Sequence, residues 1–466
     1  MSTLGALLGA VLGALPGATE AKDNLVIADR DRAELVKLVQ DHYAAKDSDM
    51  PGKALQYGEK IQDKLASIAK KEKLDDPNAL LAHVEDWREI LLEAFVSATT
   101  TVKITATGSF GLRPVELDSP VGTGVDNSKE LGKAFDEKLK AFVSVPRDYK
   151  RTRYPVILAL HPAEDESGKK IEDMTTSSQL VKDVKDWLAE TYPKEILEEA
   201  IVVAPVLDLV LVNEGLSATR PQWDSIEGTR WAIIALTNIV RFNLNHDPQR
   251  TFLDGHGSGA RAVMQFCAQY PSMATGAIVR GPTSQKINFV NCRGKPFLMV
   301  GEETRSFCDE WSRQEGYRLT HVDSVDPGAY VQWVTETRRD YCPQKVELHT
   351  DSRAYGAAYW LRIQDFDVTQ DGIRNAEIIG EVNRQDNEIT IETNPKVKEV
   401  ILYLNDNLVD LDRELKVIHK TAGAAEGRIC FQGTKERSLA EVLEIAYYQN
   451  HGNFGEAYVT QVRIEL

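Results

Sequence analysis

The feature of this chain that most limits its fold is a series of short apolar runs, each long enough for one buried strand. Residues 154–161 are almost continuously apolar, which is typical of a strand that is buried on both faces. Helical stretches at residues 178–191, 228–244 and 260–270 lie between such runs. Strands that alternate with helices predict βαβ units and a mostly parallel sheet. The other predicted strands of this region are residues 139–146, 201–205, 250–253, 276–279 and 296–300.

The segment before this region has a helical pattern. Residues 29–96 carry three apolar stripes at helical spacing, which predict three helices. Asp31 and Glu34 have the spacing of a capping box at the start of the first helix. Residues 99–107 are β-branched and alternating, which predicts a strand that enters the central region.

The segment after about residue 345 changes to alternating apolar and polar residues. This pattern predicts a β-sandwich-like domain with one helix, at residues 439–448. The predicted strands are residues 377–383, 388–393, 397–404, 415–419 and 458–466. We therefore predict an α/β fold in four parts: a signal peptide (1–21), a helical region (22–98), an α/β domain with a mostly parallel sheet (99–344) and a β-rich domain (345–466).

Charge and cysteine spacing exclude several kinds of partner. The formal net charge is −16, whereas nucleic acids and anionic lipids bind clusters of Lys and Arg. A nucleic-acid partner is therefore not expected. The five cysteines include no CxxC pair, so we predict no metal site and no cofactor. A disulfide among Cys292, Cys308 and Cys342 stays open, because sequence cannot select a pair.

The first 21 residues resemble a secretory signal peptide. An apolar run at residues 4–15 is broken by Pro16, and Thr19 and Ala21 supply small residues at −3 and −1 for a cut after Ala21. The pattern departs from the usual one because no Lys or Arg precedes the run, and a plain N-terminal helix is the alternative. Since the run is too short to span a membrane, we expect a secreted or periplasmic protein with no integral membrane segment in the mature chain.

Two longer motifs carry a more specific resemblance. The stretches AFVSVPRDY (141–149) with RYPVILALH (153–161), and NHDPQRTFLDGHGSG (245–259), are similar to those of secreted esterases of the polyhydroxybutyrate-depolymerase, feruloyl-esterase and prolyl-oligopeptidase-like kind. These enzymes belong to the α/β-hydrolase superfamily. The resemblance covers the central region, roughly residues 139–342, and implies an α/β-hydrolase-type sheet with a serine on a tight strand-to-helix turn.

The position of that serine is occupied by glycine in this chain. The turn needs small residues two before and two after its apex, and Gly255 and Gly259 meet this condition when Gly257 is the apex. With Ser258 as the apex, the residue two before would be His256, whose side chain would crowd the turn. We therefore predict that the apex is Gly257 and that the nucleophile is missing.

Other positions that the resemblance assigns to catalysis also differ. Pro162 stands where a backbone N–H of the oxyanion hole is expected, and proline has none. Thr304 replaces the acid that follows the next-to-last strand, although Glu302 and Glu303 are near it. The loop after the last strand has no histidine, and His321 is predicted to lie on the strand itself.

These observations favour a catalytically degenerate hydrolase that acts as a binding or scaffold protein, because acyl transfer needs nucleophile, base, acid and oxyanion donors together. Its pocket, near His161 and His256, would hold a small molecule, a polymer or a protein. The alternative is an active serine hydrolase with Ser258 as displaced nucleophile, assisted by His321 and Glu302. A third interpretation assigns the function to the outer domains.

Overall fold

The structure is a computed structural model that describes residues 27–98, 113–117, 139–146, 153–162, 177–205, 246–281, 287–367, 376–424, 426–449 and 456–466. The predicted signal peptide, the predicted strand at 99–107 and the predicted helix at 228–244 lie outside the described residues.

The central region is built on an eight-stranded sheet with the order β1-β2-β4-β3-β5-β6-β7-β8. The strands β1 and β2 are antiparallel to each other, β2 is antiparallel to β4, and the remaining neighbours are parallel. The predicted α/β-hydrolase-type fold with a mostly parallel sheet is confirmed. The strands are β1 (Arg113–Leu117), β2 (Leu139–Ser144), β3 (Tyr154–Leu160), β4 (Ile201–Pro205), β5 (His246–His256), β6 (Gly276–Arg280), β7 (Pro296–Val300) and β8 (Arg318–Val322).

Helices cover both faces of this sheet because alternate strand residues point to opposite sides. On β3, Leu158 packs in one apolar cluster, whereas Ile157 packs in a second cluster on the other face. Burial on both faces explains why these strands are continuously apolar in sequence. The helices of this region are α4 (Ser177–Thr191), α5 (Lys194–Glu199), α6 (Ser258–Gln269), α7 (Glu302–Trp311) and α8 (Pro327–Glu336), which follow α1 (Asp29–Asp47), α2 (Pro51–Glu72) and α3 (Val84–Ala98) of the N-terminal region.

The first of the three N-terminal helices does not begin with the predicted capping box. Helix α1 begins at Asp29, after Ala28, and Ala28 provides no side-chain cap. The Asp31 carboxylate instead lies 2.8 Å from the Lys64 ammonium group and also pairs with Lys71, both on α2. The acidic side chain therefore joins two helices rather than capping one.

The C-terminal region forms two sheets, of four and five strands. The five predicted strands are present, and the structure adds β9, β10, β11 and β16 to them. The pair β13–β15 is parallel, while the other pairs are antiparallel. The elements are β9 (Lys345–Thr350), β10 (Ala357–Ala358), β11 (Leu361–Phe366), β12 (Ala376–Asn383), β13 (Glu388–Thr393), β14 (Val397–Leu404), β15 (Leu415–Thr421), β16 (Arg428–Gly433), α9 (Leu439–Gln449) and β17 (Thr460–Glu465).

The N-terminal helices pack against these C-terminal sheets. Buried side chains of both regions, such as Trp87 and Trp360, belong to one continuous apolar cluster. The Tyr43 hydroxyl donates to the carbonyl of Leu443 at 3.2 Å, and the buried Arg88 guanidinium pairs with Glu456 at 3.1 Å. The helical region and the β-rich region therefore share a core.

All five cysteines are free thiols, so the disulfide that the sequence left open is not formed. Among the described residues, no helix is both long enough and apolar enough to cross a membrane.

Candidate functional site

The turn between β5 and α6 has the backbone of a nucleophile elbow, and Gly257 is its apex. Gly257 has φ 57° and ψ −118°, a conformation that residues with a side chain rarely adopt. Its N–H donates to the carbonyl of Arg280, at the end of the neighbouring strand β6, at 2.9 Å. The strained residue of the turn therefore carries no nucleophilic side chain.

The two flanking glycines are required by close backbone contacts. A Cβ added to Gly255 would lie 2.2 Å from the carbonyl oxygen of Gly259, and one added to Gly259 would lie 2.3 Å from that of Leu160. Both distances are far below van der Waals contact, so helix α6 can approach the sheet only because these residues lack side chains.

Ser258 is the first residue of α6 rather than the apex of the turn. Its side chain is buried, with 1% of its surface exposed. The Ser258 hydroxyl is therefore buried in the first turn of α6 and is not presented at the apex of the elbow.

Pro162 lies directly against the elbow. A Cβ at position 257 would be 3.3 Å from the Cβ of Pro162. The preceding residue, His161, is buried, and its Nδ1 lies 2.8 Å from the Pro162 carbonyl oxygen, which requires that Nδ1 carries the proton. Burial lowers the pKa of His161 to about 4, so the imidazole is neutral at pH 7.

A row of aromatic rings connects the two predicted pocket histidines. The Trp187 ring lies between them, with its centroid 6.4 Å from that of His161 and 6.4 Å from that of His256. The indole N–H of Trp187 donates to Nδ1 of His256 at 3.1 Å. Since an indole nitrogen is only a donor, this bond places the proton of neutral His256 on Nε2.

The predicted acid and base positions surround the carbonyl of Gly301, at the end of β7. This oxygen accepts hydrogen bonds from the hydroxyl of Thr304 at 2.8 Å and from Nε2 of His321 at 3.0 Å. Thr304 is buried, and His321 lies on β8, beside Met299 of β7. The exposed Glu302 carboxylate pairs with Arg305 at 2.9 Å. In this arrangement Thr304 links the start of α7 to the end of β7, and His321 links β8 to it. Glu302 pairs within α7.

A buried ionic cluster beside the elbow was missed from the sequence. The Arg280 guanidinium binds both oxygens of Asp254, at 2.9 Å and 3.1 Å, and the Tyr330 hydroxyl donates to the same carboxylate at 2.8 Å. Asp254 is completely buried. Burial alone would lower the pKa of Arg280, but the Asp254 charge raises it overall, so the guanidinium stays protonated. An aspartate within a buried strand was the sequence signal for such a partner.

A pocket opens next to this cluster, at the carboxyl ends of β5 and β6. It has a volume of about 200 Å³. Ligands of open α/β sheets bind at this end of the strands. The lining residues are Glu190, Thr191, Pro193, His256, Arg280, Val325, Pro327 and Tyr330. Of the two histidines that the sequence assigned to the pocket, His256 lines it.

No protein-family model and no curated protein matches the sequence. Solved structures similar to this chain include a thermostable esterase, an α/β serine hydrolase without a lid from Xanthomonas campestris and an S-formylglutathione hydrolase from Agrobacterium tumefaciens. Their sequence identities are 14%, 14% and 12%, and their TM-scores are 0.30, 0.26 and 0.32. The matches cover 49%, 46% and 50% of this chain, and 63%, 84% and 95% of the respective structures. The α/β-hydrolase-type fold of this chain rests on the strand order of its own central sheet.

Proposed function

We propose that this protein is a catalytically degenerate member of the α/β-hydrolase fold that acts by binding rather than by acyl transfer. The observation that carries the proposal is Gly257 at the apex of the elbow, with φ 57° and ψ −118°. A serine hydrolase forms its acyl-enzyme through a hydroxyl at this apex. Without that hydroxyl, no covalent intermediate can form at the turn.

The surroundings of the elbow support the same proposal. The Pro162 side chain faces the apex at the position where an oxyanion donor is expected, and proline has no N–H. The loss of one such donor costs about 3 kcal/mol of transition-state stabilisation, or about two orders of magnitude in rate. His321, on β8, is hydrogen-bonded to the backbone carbonyl of Gly301, and Glu302 is paired with Arg305.

The pocket supports a binding role, since it lies at the elbow and needs no nucleophile. Its lining combines the charges of Arg280 and Glu190 with apolar surface. A small molecule fits this size better than a polymer chain does.

The test is hydrolysis of p-nitrophenyl acetate and butyrate by the wild type, Gly257→Ser and Ser258→Ala, with an active carboxylesterase as the positive control. We expect no enzymatic turnover from any of the three proteins. Wild-type turnover that Ser258→Ala abolishes would overturn the proposal and identify Ser258 as the nucleophile. Turnover that occurs only in Gly257→Ser would show that a working base and acid are present.

We also propose that the protein is secreted or periplasmic, with a mature chain that begins near Lys22. The apolar run at residues 4–15 and the small residues Thr19 and Ala21 support this. N-terminal sequencing of the protein from its native host is the test, and an intact Met1 or Ser2 would contradict the proposal.

A further inference from the structure

We propose that the pocket at the elbow binds a small zwitterion of amino-acid size, with its carboxylate on Arg280 and its ammonium group at Glu190. The inference rests on the proposed binding function, and it specifies the class of ligand. It follows from the two opposite charges that line one pocket without pairing with each other.

Arg280 retains hydrogen-bonding capacity on the pocket side. A guanidinium has five N–H donors in a planar fork. Asp254 uses the edge formed by Nε and Nη2, and within the described parts of the chain Nη1 donates to no residue. The Nη1–Nη2 edge therefore has two parallel N–H groups, which is the geometry that a carboxylate binds in a bidentate manner.

The buried network fixes the direction of that edge. Asp254 has no exposed surface, and Tyr330 holds the same carboxylate from α8. The Arg280 side chain is 13% exposed and lines the pocket, so its accessible part faces that space. Because the guanidinium is already ordered, a ligand carboxylate would bind without the usual loss of side-chain entropy.

Glu190 supplies the opposite charge. It lies at the end of α4, is exposed, and forms no ion pair with any residue that the structure describes. A carboxylate at this position favours an ammonium group and disfavours a second negative charge on the ligand. A simple dianion is therefore a poor occupant, whereas a zwitterion satisfies both ends.

The remaining lining specifies the size and polarity of the ligand. Pro193, Val325 and Pro327 present apolar surface, and the volume of about 200 Å³ is below that of pockets for drug-sized molecules. An amino acid with an apolar side chain, such as leucine or phenylalanine, has the matching distribution of charge and apolar surface.

The experiment is equilibrium dialysis of the full chain with radiolabelled L-leucine, followed by competition with two analogues. The compound 4-methylpentanoate lacks the amine, and 3-methylbutylamine lacks the carboxylate. We expect leucine to bind with a Kd below about 1 mM, and each analogue to compete at least about tenfold more weakly, since each loses one charge-assisted contact.

Two variants test the position of the ligand. Glu190→Gln should weaken leucine binding about tenfold and leave competition by 4-methylpentanoate unchanged, because only the ammonium contact is lost. Glu199→Gln, on the neighbouring helix α5 and outside the pocket lining, is the matched control and should bind leucine as the wild type does. Both residues are exposed, so neither substitution should destabilise the folded protein.

Several results would overturn the inference: no leucine binding by the wild type, equal competition by the analogues, or unchanged leucine affinity in Glu190→Gln. In each case the absence of ester hydrolysis would still support the proposed function. Ester hydrolysis that depends on Ser258, together with leucine binding that depends on Glu190, would overturn only the proposed function.

Discussion

The Cβ that a serine would add at position 257 lies 3.3 Å from the Cβ of Pro162. The two residues follow the carboxyl ends of adjacent parallel strands, β5 and β3. A side chain at position 257 would therefore be crowded by Pro162, the residue that stands, in the proposed function, where an oxyanion donor is expected. The two positions are neighbours in space, although 95 positions separate them in the sequence.

We expect Gly257→Ser to destabilise the protein. A side chain at φ 57° and ψ −118° costs about 1–3 kcal/mol of folding free energy, and contact with Pro162 adds to this cost. The thermal midpoint of the variant should fall by several degrees. The double variant with Pro162→Gly tests the second contribution, because the bulk of Pro162 is then absent. Equal midpoints for the wild type and Gly257→Ser would contradict the described elbow.

Two glycine-to-alanine substitutions compare a tightly packed position, Gly259, with an open one, Gly58. Gly259→Ala should be strongly destabilising, because its Cβ would lie 2.3 Å from a backbone oxygen that cannot move freely. Gly58→Ala, in helix α2, has no atom within 4 Å of the new Cβ and should stabilise that helix by about 0.5–1 kcal/mol. Thermal melts of both variants measure the contrast, and a tolerated Gly259→Ala would be inconsistent with the close packing of α6 on β3.

The buried Glu456 predicts a pH dependence of stability. Burial raises the pKa of its carboxyl from 4.5 to about 7, and the Arg88 charge offsets only part of this effect. Between pH 4.5 and 7 the folded state therefore binds more protons than the unfolded state does. The contribution of Glu456 to stability should then fall as the pH rises through this window, by at most about 1.4 kcal/mol per pH unit, and level off above it.

The comparison that isolates this group is urea unfolding of the wild type and Glu456→Gln at a series of pH values from 4.5 to 8. The free energies of unfolding should converge or cross within the window, because the glutamine has no proton to release. A constant difference between the two proteins at every pH would show that Glu456 does not titrate there.

The shared core predicts the behaviour of fragments. We expect residues 345–466 to unfold cooperatively on their own, because two sheets and a helix bury enough surface for a domain of this size. Residues 27–98 added in trans should raise the thermal midpoint of this fragment, since their apolar side chains belong to the same cluster. The expectation would be contradicted if the fragment showed no cooperative transition, or if its thermal midpoint did not change when residues 27–98 were added.

The sequence predicts most accurately those strands in which nearly every side chain is buried. The strands β4 and β7 were located at their observed bounds, because every residue of such a strand meets a helix layer and is apolar. The strand β16 was missed, since it lies at the edge of its sheet with Ile429 exposed, and its residues follow no alternation.

The site was predictable only where it is local in sequence. The glycine spacing around position 257 identified the register of the turn, because the steric requirement acts within five residues. The cluster of Asp254, Arg280 and Tyr330 could not be derived in the same way. Its members come from β5, β6 and α8, and only the order of the strands and the packing of the helix bring them together.

The hydrogen bond between Tyr43 and Leu443 joins positions 400 residues apart. The core that residues 27–98 share with the C-terminal sheets cannot close until the chain has been synthesised to about Ile464, whereas the central sheet is complete by residue 322. During synthesis, the apolar faces of α1, α2 and α3 therefore stay uncovered while the central domain is made, because their partner segments follow that domain in the chain. The central domain is thus an insertion into a discontinuous one, and interrupted translation would leave the helices as the part most exposed to aggregation or to chaperones.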